Sequence, residues 1–300
     1  MTTAYTSFNE TVLKKDALFS LKNALIPIRA FSTSVDMSGK RKDETVLVPV
    51  HGAASSATRT LGSDGTAGGT SETKSVTLGS PTYAQWEAVD GRDPISAFMD
   101  RAIEAAYAVA QGVLDAALAY MTAANYGDTS ADKLVVPIAE FGFSDIATLN
   151  GLATVKKISE RNRFMILNGA YTWQFLGDSS GALVLATAGD KGIITGKLPP
   201  IGVSEAFTYA GLPTNDENLA GIVCDPSCLA IGMAPVMSLA GGAGAGNLVH
   251  EAVVGDAESG VVMSYRRWYD GAAGKMSGRF EVMTGFAVCN NAVIRLKSAS

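Results

Sequence analysis

The segment that follows Asp93 carries the longest regular hydrophobic pattern in the chain and constrains the fold more than any other feature. Apolar residues recur at spacings of three and four from Ile95 to Met121, as on one face of a helix. Asp93 is predicted as the N-cap and Pro94 as the first helical residue, and Gly127 suits a C-terminal stop. We expect a spine helix near residues 94–125, about 30 residues and roughly 45 Å long. Its predicted buried face includes Phe98, Ile103, Leu114 and Leu118.

A β-ribbon is predicted before the spine helix. Residues 44–50 form a β-rich run in which Pro49 favours a sheet edge or a ribbon. A tip rich in Gly, Ser, Thr and Ala follows at residues 51–69, and a second β-like run at 72–78 has Val76 and Leu78 on one face. Such a ribbon has too little apolar content to be stable alone in water, so we expect it to lie on a neighbour.

The first forty residues show little periodicity and are predicted to be an extended arm. The leucines between Leu18 and Ile26 allow one or two helical turns, ended by Pro27. Residues 1–43 hold seven Lys or Arg against four Asp or Glu, a local charge of +3, whereas the whole chain has −5. A basic arm on an acidic body favours contact with an acidic partner, another subunit or nucleic acid, although a solvated flexible terminus has the same composition.

The remainder of the chain mixes helix and strand patterns. Ser144 is predicted to cap a helix that carries Ile146, Leu149, Val155 and Ile158. Asp270-Gly271 predicts a hairpin turn between two antiparallel strands. The other predicted elements are strands at 164–167, 220–224, 229–231, 261–269, 279–286 and 292–296, a helix at 170–176 and a Gly-rich loop at 241–246.

Composition indicates a globular protein made in a reducing compartment. Hydrophobic residues make up 47% of the chain and charged residues 18%, outside the disordered range. The three cysteines, Cys224, Cys228 and Cys289, are too few for a disulfide framework. No run reaches the ~18 apolar residues of a membrane helix. The polar start of the chain predicts no secretory signal.

Patterns typical of catalysis are weak. A Ser-His-Asp triad would need one of two histidines, His51 or His250. Ser179 lies in a Gly-Asp-Ser-Ser-Gly string that a polar turn explains better than a nucleophile loop. Cys224 and Cys228 lack a second Cys or His pair for zinc and are predicted to be buried small hydrophobes. We therefore expect no catalytic, cofactor-binding or metal-binding residues.

Basic and aromatic residues alternate between Tyr265 and Tyr269. In a strand, Tyr265, Arg267 and Tyr269 share one face, and Arg266 and Trp268 share the other. A nucleic-acid platform needs stacking aromatics beside cations. In an acidic chain, a strand whose arginines pair with the acids of a neighbouring subunit is favoured over a DNA-reading surface.

The order of these parts resembles one known architecture: a basic arm, a long β-ribbon, a capped spine helix, an α/β lobe and closing antiparallel strands. The strings that carry the resemblance are residues 44–50, 75–78, 91–94, 161–168, 220–224 and 259–270. Over nearly its whole length, the chain resembles the major capsid protein of a tailed bacteriophage. The resemblance implies the α+β tailed-phage (Johnson-type) capsid fold.

The resemblance also implies a division of the chain. The expected parts are an N-terminal arm at 1–41, an extended β-ribbon (E-loop) at 42–90, a P-domain with the spine helix at 91–140, an A-domain at 141–255 and closing P-domain strands at 256–300.

The function implied by the resemblance is self-assembly. Hexamers and pentamers would close an icosahedral shell around double-stranded DNA, without sequence-specific binding. Scaffolding, portal, maturation-protease and decoration proteins are implied as partners, and no membrane is involved. The protein would reside in the virion after synthesis in the cytoplasm of a bacterial host.

Intersubunit contacts are expected on the ribbon and on the closing strands. Small residues let the ribbon lie flat on a neighbour, and charges that pair across the boundary would set its register. A covalent Lys–Asn cross-link, known in part of this fold family, would use Lys74 with Asn290 or Asn291. The predicted contact residues are Arg59, Asp64, Glu72, Lys74, Arg266 and Arg267.

Three alternatives stay open at this point. An encapsulin-like shell has the same fold but encloses a cargo protein. A serine hydrolase would need Ser179 and His250 within hydrogen-bonding distance. A monomeric carbohydrate- or receptor-binding surface protein would form no particles.

Overall fold

The structure, a computed structural model, describes residues 10–37, 39–51, 71–177, 202–212, 217–236, 248–256 and 261–299. The helices in these ranges are α1 (Glu10–Leu25), α2 (Ile95–Leu118), α3 (Ala123–Tyr126), α4 (Phe143–Val155) and α5 (Gly169–Gly177). The strands are β1 (Ser32–Asp36), β2 (Thr45–His51), β3 (Ser71–Thr77), β4 (Thr82–Val89), β5 (Lys133–Val136), β6 (Phe164–Leu167), β7 (Glu205–Thr208), β8 (Leu219–Cys224), β9 (Leu229–Pro235), β10 (Leu248–Asp256), β11 (Val261–Asp270), β12 (Lys275–Val288) and β13 (Val293–Ser298). This mixture confirms the predicted α+β class.

Strand β12 organises the larger sheet, because β4, β9 and β11 all pair with it. Among the described residues the strand order is β1-β9-β12-β11-β10, with β4 on the first half of β12. The predicted hairpin is confirmed, since β11 and β12 are antiparallel and Asp270 lies opposite Lys275. Trp86 on β4 packs its ring 4.9 Å from Phe280 of β12 and 5.5 Å from Phe98 of α2, measured between ring centroids. The sheet and the spine helix therefore share one core.

The smaller sheet has the described strand order β5-β13-β8-β6-β7. Every residue of β8 is buried, as expected for a strand covered on both faces. Helices α4 and α5 contribute Leu149 and Phe175 to the apolar cluster on this sheet. The predicted strands at 164–167 and 220–224 and the helix at 170–176 are confirmed.

Helix α2 is the predicted spine, but it is shorter than expected. It has 24 residues, so it spans about 36 Å at 1.5 Å per residue. The chain turns after Leu118, and Met121 is buried in that turn, which is why the hydrophobic pattern continued past the helix. Phe98, Leu114 and Leu118 are buried as predicted. Ile103 is only partly buried, because it lines an open groove between α1 and α2.

The predicted helix starts were displaced by one or two residues. Pro94, not Asp93, is the N-cap of α2, and the carboxylate of Asp93 instead accepts hydrogen bonds from the Val89 amide and from Arg101. The N-cap of α4 is Gly142, whose amide donates to Asp145, so Ser144 is no cap.

The N-terminal segment differs most from expectation. Residues 10–25 form the 16-residue helix α1 instead of an extended arm. Leu13 and Ala17 are fully buried in the core that α1 shares with α2. The sequence pattern was weak because this helix buries small and widely spaced side chains. The helix ends at Leu25, and Pro27 lies in a following 3-10 turn.

Three strands pair with strands that lie in other expected parts of the chain. β4, expected in the ribbon, belongs to the larger sheet. β10, expected in the α/β lobe, pairs with β11 in that same sheet. β13, expected beside the closing hairpin, pairs with β8 and β5 in the smaller sheet. Long-range pairing decides these assignments, and local sequence patterns do not encode it.

Candidate functional site

The predicted ribbon is present as a two-stranded antiparallel pair. β2 and β3 run in register from Thr45 opposite Thr77 to His51 opposite Ser71. The tip was predicted at residues 51–69; residues 52–70 lie outside the described residues, and so therefore do Arg59 and Asp64. Strand alternation places Val76 with Lys74 and Glu72 on one face of the ribbon.

The base of the ribbon is supported by its own chain. Val76 and Leu78 are both 0% exposed. Their cluster combines β3 with β9 and β12 through Met37, Ala230, Ala234, Met283 and Ala287. The base of the ribbon is therefore stabilised within its own chain. The expectation from composition was that the ribbon needs a neighbouring molecule.

Two glycines let this base lie flat on the larger sheet. A Cβ atom on Gly285 would overlap the carbonyl oxygen of Thr77. A Cβ atom on Gly232 would overlap the sulfur of Met37. The backbone of β3 thus approaches β12 more closely than any side chain at residue 285 would permit.

The opposite face of the ribbon is open to solvent. Leu47 is 66% exposed, although it lies in the middle of β2. On the first face, Lys74 and Glu72 form an ion pair of 2.9 Å, with the Lys74 side chain 39% exposed and the Glu72 side chain 68% exposed. An exposed pair of this kind contributes only ~0.2–1 kcal/mol, so both charges remain available to another partner.

Arg266 is neutralised within its own chain. Its Nε lies 2.9 Å from Glu251 and its Nη1 lies 2.7 Å from Glu281, and Nη2 donates to the carbonyl of Val236. This geometry gives no support to the predicted pairing of Arg266 with a neighbouring subunit. Arg267 points to the other face of β11 and lines a small cavity with residues of α2.

The geometry of a hydrolase dyad cannot be assembled from the described residues. Ser179 lies outside them. His250 lies on β10, where its Nε2 atom is 3.0 Å from Nζ of Lys14. This contact joins α1 to the edge of the larger sheet.

The cysteine pair behaves as predicted for buried hydrophobes. Cys224 and Cys228 are fully buried, and their thiols donate to the carbonyls of Ala30 and Phe31. Burial raises the pKa of the Cys228 thiol above its ordinary value, so the thiolate is disfavoured. Across the described ranges, no three His, Cys, Asp or Glu side chains form a metal-ligand cluster.

The two asparagines named for a cross-link have partners in the same chain. The Oδ1 atom of Asn291 accepts a hydrogen bond of 2.9 Å from Lys156, and Asn290 donates to Ser227. Lys74 pairs with Glu72. A cross-link from Lys74 to either asparagine stays a prediction.

The chain is similar to known proteins in its structure and not in its sequence. No protein-family model matches the sequence, and no curated protein matches it significantly. The fold is similar to that in the mature capsid of bacteriophage PhiM1, with a TM-score of 0.57 and 10% identity over 91% of this chain and 87% of that chain. The capsid of Ralstonia phage GP4 is similar with a TM-score of 0.57 and 11% identity, over 88% of this chain and 86% of that chain.

The chain has the tailed-phage capsid fold. A virus-like particle from Pyrococcus furiosus shares it, with a TM-score of 0.54 and 11% identity over 96% of this chain and 98% of that chain. In each comparison the similarity extends over most of both chains. This confirms the fold expected from the sequence.

Proposed function

We propose that this chain is the subunit of a phage capsid. Copies would assemble into hexamers and pentamers that close an icosahedral shell around double-stranded DNA. The observation that carries this proposal is the capsid fold, which matches the subunits of two phage capsids over at least 86% of their length.

Exposed apolar side chains support assembly with other copies. Phe19 on α1 and Leu47 on β2 are each 66% exposed, and Trp173 on α5 is 65% exposed. Single exposed apolar side chains are common on any protein surface, so these three are proposed as contact points because of where they lie. They occur on the ribbon, beside the spine helix and on the smaller-sheet lobe, as a subunit with several neighbours requires.

We propose that the parts of the chain keep the expected bounds: an N-terminal arm at 1–41 that contains helix α1, a ribbon at 42–90, a P-domain at 91–140 closed by 256–300, and an A-domain at 141–255. The sheets connect these parts through β4, β10 and β13. We propose that the ribbon contacts a neighbouring copy through Leu47 on its open face and through Glu72 and Lys74, which lie on the other face beyond the buried base. Arg59, Asp64 and Arg267 complete the proposed contact set, to which Arg266 belongs only if it exchanges its present partners.

The proposed location is the virion, after synthesis in a bacterial host cytoplasm. Scaffolding, portal and decoration proteins are the proposed partners. DNA would be enclosed without sequence-specific contacts, in keeping with a net charge of −5. No helix among the described residues is long and apolar enough to span a membrane.

Electron microscopy of the purified chain tests the proposal. Closed particles with five- and six-fold rings are expected from the chain alone or after addition of a scaffolding protein. Particles isolated from infected cells should contain nuclease-protected DNA. Particles that contain a protein cargo instead would favour the encapsulin-like alternative, and the absence of particles under both conditions would reject the shell.

A further inference from the structure

Arg163 is a buried cation with neutral hydrogen-bond acceptors. It precedes β6 and is only 2% exposed. Its Nη2 donates to the Ile158 carbonyl at 2.7 Å and to Thr154 Oγ1 at 3.1 Å. Its Nη1 makes two long contacts of 3.3 and 3.4 Å to Asn150, and its Nε has no acceptor.

Two other arginines in the described residues, one fully buried and one partly buried, pair with carboxylates. Arg295 is fully buried and meets the carboxylates of Glu217 and Asp128. Arg266 meets Glu251 and Glu281. No carboxylate of the described chain lies within 4.0 Å of the Arg163 guanidinium. Burying a charge without a paired opposite charge is unfavourable, and the Glu160 carboxylate acts on Arg163 only at longer range, so Arg163 stands out as a buried cation without an ion-pair partner.

An open cavity has Arg163 in its wall. Its volume is about 430 Å³, and its walls are formed by Arg163 together with Asn150, Gly151, Thr154, Glu160, Gly202 and Val203. Small side chains and glycines leave room for a group of several atoms. Glycine at 202 is required by the fold, because its φ is +66° and a Cβ atom there would lie 2.8 Å from Asn150.

We propose that this cavity is a binding site for an oxyanion, a carboxylate or phosphate group that pairs with Arg163. Arginine presents a planar fork of N–H donors that suits both groups. The oxyanion has two possible sources: free phosphate, or an acidic side chain from a second copy of the chain. The second source rests on the proposed shell function, whereas the first does not.

Glu160 is the alternative counter-ion within the chain. It lines the same cavity but is exposed and forms no ion pair with Arg163. If Glu160 were the counter-ion of Arg163, Glu160→Gln would lower the free energy of unfolding. If the cavity binds an external oxyanion, the Glu160 carboxylate repels that ligand, and Glu160→Gln strengthens binding.

Gly151 provides a way to fill the cavity without disturbing Arg163. It lies on α4, and a Cβ atom there meets nothing within 4 Å. Gly151→Phe therefore blocks the cavity while it improves helix propensity. Gly169→Phe is the matched control, because Gly169 begins α5, also has open space at its Cβ position and lies outside the cavity.

Two measurements separate the sources. Thermal unfolding is followed in phosphate and in chloride at equal ionic strength, and self-association is followed by light scattering. If free phosphate is the ligand, phosphate raises the melting temperature of the wild type. Gly151→Phe then raises the apparent Kd for phosphate at least tenfold, and Gly169→Phe leaves it unchanged. If the carboxylate of a second copy is the ligand, phosphate does not change the melting temperature. Gly151→Phe then weakens self-association at least tenfold, and Gly169→Phe does not.

The proposal is overturned if Gly151→Phe matches Gly169→Phe in both measurements, whether or not the wild type forms particles. Should Gly151→Phe fail to fold, Glu160→Gln decides. Tighter phosphate binding or tighter self-association supports the oxyanion site, and unchanged or weaker binding rejects it. A chain that binds phosphate at this cavity but never assembles would retain the site and lose the proposed shell function.

Discussion

The ion pair between Asp132 and Lys156 offers the most quantitative test of the structure. Lys156 Nζ lies 2.7 Å from Asp132 Oδ1, and both side chains are about nine-tenths buried, at 11% and 10% exposure. Nζ also donates to Asn291 Oδ1 and to the carbonyl of Val293. The pair therefore joins the turn before β5, the end of α4 and the start of β13. We expect Asp132→Asn to destabilise this junction.

The size of the effect follows from the pKa of Asp132. Burial acts to raise this pKa, but hydrogen bonds from Lys156 and Thr129 outweigh burial and lower it from 3.8 to about 2. At about 1.4 kcal/mol per pH unit, this difference corresponds to roughly 2.5 kcal/mol of stability. Removal of one partner also leaves the Lys156 ammonium buried, so we expect a loss of about 3–5 kcal/mol for Asp132→Asn.

Urea unfolding at several pH values measures this directly. Because the folded-state pKa is lowered, the contribution of Asp132 is fully present above pH 3.8 and is lost as the pH falls through about 2. The wild type should therefore lose stability between pH 4 and pH 2 more steeply than Asp132→Asn. Asp100→Asn, at an exposed position on α2, is the matched control and should change stability by less than about 0.5 kcal/mol.

A double variant separates the ion pair from the cost of an unpaired ammonium. Lys156→Met added to Asp132→Asn should recover part of the lost stability, because the buried charge is gone. Equal stability of wild type and Asp132→Asn at pH 7, or parallel stability curves between pH 4 and pH 2, would refute this reasoning.

Three further predictions concern the spine and the ribbon. Leu114→Ala, in the fully packed face of α2, should lower the free energy of unfolding by about 2–5 kcal/mol in urea unfolding, and a loss below 1 kcal/mol would contradict the assigned core. Gly285→Val should displace the ribbon base from β12 and increase protease cleavage within β2 and β3, whereas Gly91→Asn, at a turn with open space, should not. Deletion of residues 53–70 should leave the melting temperature unchanged but abolish particles or let them fall apart on dilution; normal, stable particles would remove the ribbon from the assembly mechanism.

Much of the fold was predictable because its elements have local signals. The spine helix follows from apolar spacing, the ribbon from its β-rich runs, and the β11–β12 hairpin from Asp270-Gly271. Helix α1 was missed because one of its described buried positions, Ala17, has a small side chain that gives no strong hydrophobic signal. The membership of β4 and β13 in their sheets was missed because it depends on long-range pairing.

The candidate site was predictable only in part. Val76 and Leu78 were identified as one face, but the surface that receives them was not. That surface is indicated in the sequence by alternating small residues on β9, namely Ala230, Gly232 and Ala234. A search for large apolar residues does not detect this pattern. The internal pairing of Arg266 could not be foreseen, since β10 and β12 bring Glu251 and Glu281 to it from distant positions.

The mass of the assembled particle tests the central claim most directly. Light scattering coupled to size exclusion should find the 31.1 kDa chain in capsomers and closed particles of many subunits, with the particle mass unchanged on moderate dilution. A single species of about 31.1 kDa at every concentration, with and without a scaffolding protein, would contradict the proposal that this capsid fold builds a shell.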